Sequence, residues 1–174
     1  MTTPSGIARS LRRHACVLPL AALAAGAPAQ ADDTLVNWFG DPFFQITATV
    51  PDCPLPAGPF TDEADKRIQS HRRAEKGTTC WLAKECDRPN AYAYDADIAD
   101  EVSAAVRERR PFADTTLWIT VQGRVVYIEG CVSRPEQEVE IEAFVRVLPH
   151  VQRAMAIVRS EATGRVPYRL RVPH

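Results

Sequence analysis

A two-layer α+β fold, two helices over a three-stranded sheet, is predicted for the second half of this 174-residue sequence. Three observations predict it. The β-branched runs Leu117 to Val121 and Val125 to Val132 are separated only by Gln122-Gly123-Arg124, which reads as an antiparallel hairpin. Apolar residues at helical spacing stand on both sides of that hairpin. A further strand-like run, Val151 to Val158, completes the order α-β-β-α-β, and two amphipathic helices covering one face of such a sheet make a two-layer domain.

Taken from the start, residues 1–31 read as a cleavable secretory signal. Arg9, Arg12 and Arg13 precede the apolar run Val17 to Ala25, and Ala29-Gln30-Ala31 supplies the small-residue ending, which places cleavage before Asp32. The run is too short for a spanning helix and contains Pro19. Beyond it, no stretch is apolar enough to cross a bilayer, so no transmembrane segment is expected in the mature chain. Residues 32–94 form an extension rich in Pro and containing Cys. WFGDPFF and PDCPLPAGPF are largely irregular, with one short strand expected at Gln45 to Val50. Thr61 to Lys76 has helix-forming residues, Thr61 as its cap and Gly77 as its stop, and few apolar residues, so it is a mostly solvated helix.

The domain proper spans 95–160. Asp95 caps a helix in which Ile98, Val102, Ala105 and Val106 form one apolar stripe, ending near Arg110-Pro111. After the hairpin, Ser133 and Glu136 have capping-box spacing with Pro135 in the first turn. Val139, Ile141, Phe144, Val145 and Leu148 are then the core candidates of a second helix that Pro149 breaks. Residues 161–174 are a basic tail.

At the residues Asp95…Ile98…Val102, LWITVQGRVVYIEGCVS and VLPHVQRAMAIV, the chain resembles the BON domain of bacterial envelope proteins. Members carry a glycine in the hairpin turn and another near the end of the second strand, here Gly123 and Gly130. Two positions depart from that pattern. The interval between these glycines is one residue longer, which implies a wider turn or a bulge. His150 stands where a glycine is common. The resemblance covers about 95–160 and implies a non-enzymatic periplasmic protein that binds anionic phospholipid headgroups and supports the envelope under osmotic stress. The alternative is a module that docks an envelope protein during assembly.

Charge and cysteine usage narrow the classes further. All 22 acidic residues lie beyond the leader, while three of the 21 basic ones lie within it, so the mature chain is acidic and nucleic acid is not an expected partner. Cys53, Cys80, Cys86 and Cys131 are an even set in an exported chain, and two disulfides are the default. Strand alternation puts Leu117, Ile119, Val121, Val126, Ile128 and Gly130 towards the helices and Trp118, Val125, Tyr127 and Cys131 on the opposite face. That second face needs a cover. The extension is the candidate, stapled by Cys131 to one of its cysteines, with Cys53 favoured and Cys80 with Cys86 as the second pair. In a continuous helix the two cysteines of CWLAKEC would stand about 9 Å apart, so they pair only if that turn is broken, and otherwise another connectivity holds.

No catalytic, cofactor or metal site is expected. There is no C-x-x-C, no histidine at ligand spacing from the cysteines, no nucleophile elbow, and the alternating Glu136, Glu138, Glu140 and Glu142 lack the glycine-centred loop of a calcium site. The remaining signal is arginine. Arg153, Arg159, Arg165, Arg169 and Arg171 make the C-terminal end locally basic, which suits phosphate headgroups or simply solubilises an edge strand and tail.

Overall fold

The computed structural model describes residues 1–2, 35–109, 112–160 and 164–171. Of the expected leader, residues 3–31 lie outside these. From Asp33 onward the chain is one unit. Its elements are β1 (Phe43–Ala48), α1 (Glu63–Gly77), the one-turn α2 (Thr79–Leu82), a 3-10 turn at Ala91–Tyr94, α3 (Asp95–Arg109), β2 (Thr116–Gln122), β3 (Val125–Val132), α4 (Gln137–Arg146) and β4 (Arg153–Ser160).

The α+β class and the α-β-β-α-β order are present, but the sheet has four strands in the order β1-β2-β3-β4. β2 is antiparallel to both β1 and β3, and β4 runs parallel to β3. The expected sheet of three strands with two helices is thus corrected to four strands and three longer helices, because the extension contributes β1 and α1. The physical reason lies in β2. Residues 116–121 are buried without alternation, so both of its faces and both of its edges are covered. A three-stranded sheet would have left β2 as an open edge.

The core lies between the sheet and two helices. Ile98 and Val102 of α3 and Ile141 and Val145 of α4 pack on Leu117, Ile119, Val121, Val126 and Ile128, all at most 1 % exposed. Val139 does not join them and is 72 % exposed. Standing two residues from Ile141, it is turned by about 200° on a helix, so the two cannot share a buried face.

The expected caps are also redistributed. Asp62, not Thr61, caps α1, its carboxylate accepting from the Asp65 amide at 2.8 Å. Helix α4 starts at Gln137, so Ser133 and Glu136 form no capping box. Ser133 donates to the Asp114 carbonyl instead. Gln137, fully buried, ties the connection by accepting from the Arg134 amide at 3.0 Å and donating to the Asp114 carboxylate at 2.8 Å.

The wider turn or bulge expected from the spacing of Gly123 and Gly130 is absent. The hairpin turn is not widened: Gln122 pairs with Val125, leaving only Gly123 and Arg124, with φ of +61° and +69°. Two left-handed residues make a type I′ turn, whose twist matches that of the strands. No bulge interrupts β2 and β3; the irregularity lies in β1, between Gln45 and Thr47. Gly130 sits at φ +145°, where a Cβ would collide with the Thr116 carbonyl and come within 3.0 Å of the Leu117 Cα. Glycine is required there by contact as well as by conformation. His150 adopts φ +64° and lays its ring 5.0 Å from that of Tyr94.

Candidate functional site

The outer face of the sheet carries Trp118 and Cys131, which are 9 % and 4 % exposed, so it is covered. Two chain segments share that task. One runs from Thr49 to Thr61, anchored where Thr116 Oγ1 accepts from the Val50 amide at 2.8 Å. The other is the stretch expected only as a basic tail, whose residues 164–171 lie beside the first segment. The Ala57 amide donates to the Arg169 carbonyl at 2.8 Å and the Arg171 amide to the Leu55 carbonyl at 3.1 Å. Tyr168 locks the two together by donating to the Pro54 carbonyl at 2.8 Å. Burial pushes its pKa up to about 12, with nearby Glu129 adding to the rise, so the phenol keeps its proton as donor.

Cys53 and Cys131 are joined across this interface, with Cα atoms 5.8 Å apart. The bond ties the covering segment to the last turn of β3. Cys80 and Cys86 are also joined, Cα to Cα 5.5 Å. That pair forms because α2 stops at Leu82: Lys84 takes φ +59° and the Glu85 amide donates back to the Cys80 carbonyl at 2.8 Å. The turn is broken, as this pairing requires.

The five arginines considered as a phosphate-contacting group are not brought together. Arg153 is exposed at the start of β4, while Arg159 lies at the other end of that strand beside Asp52 and Cys131. Arg165 is exposed on the tail. Arg169 stands 3.9 Å from Asp65 of α1. Arg171 lies over the Phe60 ring at 3.9 Å, serving the cover.

A different basic group assembles at the hairpin-turn end of the sheet. The parallel register sets Val125 opposite Arg153, so Arg124 and Arg153 are neighbours there, and the Arg153 amide donates to the Arg124 carbonyl at 3.4 Å. Arg124 Nε donates to the His150 carbonyl at 2.9 Å, and its guanidinium lies 5.0 Å from the Tyr94 ring. Arg88 stacks on the same ring at 4.6 Å and is ion-paired to Asp97. Among the described residues, neither Arg153 nor the terminal nitrogens of Arg124 has an ion-pair partner. Arg88 and Arg124 were not among the residues singled out by sequence. The usable signal was the turn position of Arg124, but only the β3/β4 register shows that Arg153 joins it.

Asp95 positions this end. It opens α3 rather than capping it, and its carboxylate accepts from the Gly123 amide at 2.7 Å and the Arg124 amide at 2.8 Å. Burial outweighs those two donors and pushes its pKa up to about 6, with Asp41 contributing a smaller rise and Arg73 a smaller fall. The folded state therefore holds this proton more tightly than the unfolded one between pH 3.8 and about 6. Stability from this group is present below that window and falls as pH rises through it. Urea midpoints of the wild type are expected to decline relative to those of Asp95→Asn over that interval; parallel profiles would contradict this assignment.

Comparison with family models, with curated proteins and with solved structures finds no match to this chain. The functional reading therefore rests on the chain's own geometry. The two disulfides fit an extracellular or periplasmic compartment. No helix among the described residues is long and apolar enough to cross a membrane.

Proposed function

We propose that this is a non-enzymatic periplasmic protein of the BON type that associates with anionic phospholipid headgroups at the envelope and supports membrane integrity under osmotic stress. The observation that carries the reading is the pairing of Arg124 and Arg153 at one end of the sheet, with Arg88 beside them on Tyr94. Planar guanidinium groups fit phosphate oxygens bidentately and stay charged at any relevant pH. The left-handed turn offers Arg124 at the tip of the hairpin, while Asp95 and Tyr94 fix the backbone and ring behind it. The order α3-β2-β3-α4-β4 supports the BON reading.

Co-sedimentation of the mature protein with phosphatidylcholine vesicles, with and without phosphatidylglycerol, tests it. Binding is expected only with phosphatidylglycerol and strongest at low salt. Exchanging both Arg124 and Arg153 for Gln should weaken it about thirtyfold, from about 1 kcal/mol per basic residue near an anionic surface. Absence of phosphatidylglycerol-dependent binding at low salt sinks the reading.

A second reading, a docking module for an envelope protein, is favoured by the edge of β4 and the exposed face of α4. β4 is an edge of the sheet, and Glu142 accepts from its Ala156 amide at 3.0 Å. On α4, Val139 and Val147 are 72 % and 77 % exposed. A salt-insensitive pull-down of one envelope protein, lost on converting both valines to Lys, would select this reading over the first.

A further inference from the structure

The outer face of the sheet has, among the described residues, an opening beside the cover that the preceding reading does not use. It is a cleft of about 320 Å³ whose lining includes Thr120 and Gln122 of β2, Tyr127 and Glu129 of β3, and Arg169 of the tail. The strand register explains why these side chains converge: Thr120 is opposite Tyr127, and Glu129 follows two residues along the same face of β3.

What they present is a surplus of hydrogen-bond acceptors. Glu129 is a carboxylate in mid-sheet, flanked across the ladders by Trp118 and Ile157. Among the described residues no donor reaches it. Burial raises its pKa, and the Arg169 guanidinium opposes that rise. Thr120 is 5 % exposed and its hydroxyl oxygen has no hydrogen-bond partner. Gln122 uses its Nε2 to donate to Asp41 at 2.6 Å, which leaves its carbonyl oxygen as an acceptor. A buried hydroxyl without a protein partner and a partly buried carboxylate without a protein donor are both costly. Both costs are relieved by a ligand that brings several N–H donors and a positive charge. A primary ammonium has three such donors. At the rim, Arg169 adds a fixed positive charge. Besides its attraction to Glu129, its ion pair among the described residues is the 3.9 Å contact with Asp65, and its side chain is 75 % exposed, so it can also meet an anionic group attached to that ammonium.

We propose that this cleft binds a small zwitterion, a primary ammonium linked through a short chain to an anionic group, with Glu129, Thr120 and Gln122 receiving the ammonium and Arg169 the anion. Phosphoethanolamine has this chemistry, whether free in solution or as the headgroup of a lipid. The proposal is independent of the anionic-lipid reading, which concerns the hairpin-turn end and needs a negatively charged membrane.

Amide spectra of the intact mature protein, titrated with O-phosphoethanolamine, ethanolamine or inorganic phosphate, test it. O-phosphoethanolamine is expected to shift the amides of Thr120, Glu129 and Arg169 saturably. Ethanolamine should shift the first two at higher concentration, and phosphate neither. Glu129→Gln, with an unchanged circular dichroism spectrum, should weaken the O-phosphoethanolamine response at least about tenfold, which corresponds to about 1.4 kcal/mol. Phosphatidylethanolamine vesicles that shift the same amides identify the headgroup as the source, whereas silent vesicles beside a responsive soluble probe identify a free small molecule. The proposal is overturned if neither amine gives a saturable shift, or if phosphate alone reproduces it. It is equally overturned if a folded Glu129→Gln variant responds as the wild type does. Should that variant not fold, the three-probe series on the wild-type protein decides alone.

Discussion

Replacing Cys53 and Cys131 together by alanine is expected to lower the free energy of unfolding by about 4 kcal/mol in urea titrations, the effect of releasing a long loop in the denatured chain. The two cysteines are 78 residues apart in sequence, so their bond restricts most of the unfolded domain. Cys80 and Cys86 are only 6 apart, and removing that pair should cost about 2 kcal/mol. The difference between the two variants matters more than either figure. The long staple also holds the cover against β3, so its loss should expose Trp118 and shift its fluorescence, while loss of the short bond should leave Trp118 as it is. Equal destabilisation by both variants, with no change at Trp118, would contradict the assigned role.

Replacing Arg73 by alanine is expected to cost a further class of stability, about 3 to 5 kcal/mol, because it strands a buried carboxylate. Arg73 projects from α1 between the rings of Phe39 at 4.0 Å and Tyr92 at 4.2 Å and pairs with Asp41. The side chains of the pair are 15 % and 4 % exposed, respectively. Asp41 is further held by the Gln122 amide, and its own backbone by Asn37 at 2.8 and 3.0 Å. One ion pair thus joins the start of the extension, α1 and the hairpin. Removing both charges by Arg73→Met with Asp41→Leu should cost less than Arg73→Ala alone, since no buried charge is then left without a partner. A double variant less stable than the single one would show that the contact acts through packing rather than charge.

The half of the chain with strong periodicity was legible in the sequence, and the extension was legible only in outline. Leu117, Ile119, Val126 and Ile128 alternate with residues that face the other way, so the buried face followed directly from the two-residue period of a strand. The same alternation singled out Cys131 on the outer face, and with it the need for a cover. By contrast, the short strand expected at Gln45 to Val50 forms at Phe43–Ala48, but FFQITA carries nothing to show that it belongs to this sheet, where it pairs with the edge of β2. Asp95 illustrates a different difficulty. An aspartate before an apolar stripe is an ordinary helix cap, and nothing local reveals that its carboxylate serves the hairpin 28 residues on. The same holds for Arg73 and Asp41, which are 32 residues apart.

For the candidate sites, composition indicated arginine but not which arginines meet. Arg153, Arg159, Arg165, Arg169 and Arg171 are close in sequence and dispersed in space, because β4 is extended and the tail turns across the outer face. Arg124 and Arg153 are distant in sequence and adjacent through a parallel ladder. The acceptor-rich cleft was out of reach for a related reason: Thr120 and Glu129 are neighbours across the predicted hairpin, but Arg169 joins them only because the tail crosses the outer face.

The central structural claim is that the extension is fastened over the outer face of the sheet through Cys131. Peptide mapping of the protein under non-reducing conditions tests it most directly. One linked pair should contain Cys53 with Cys131 and another Cys80 with Cys86; a free Cys131, or Cys131 linked to Cys80 or Cys86, would contradict it.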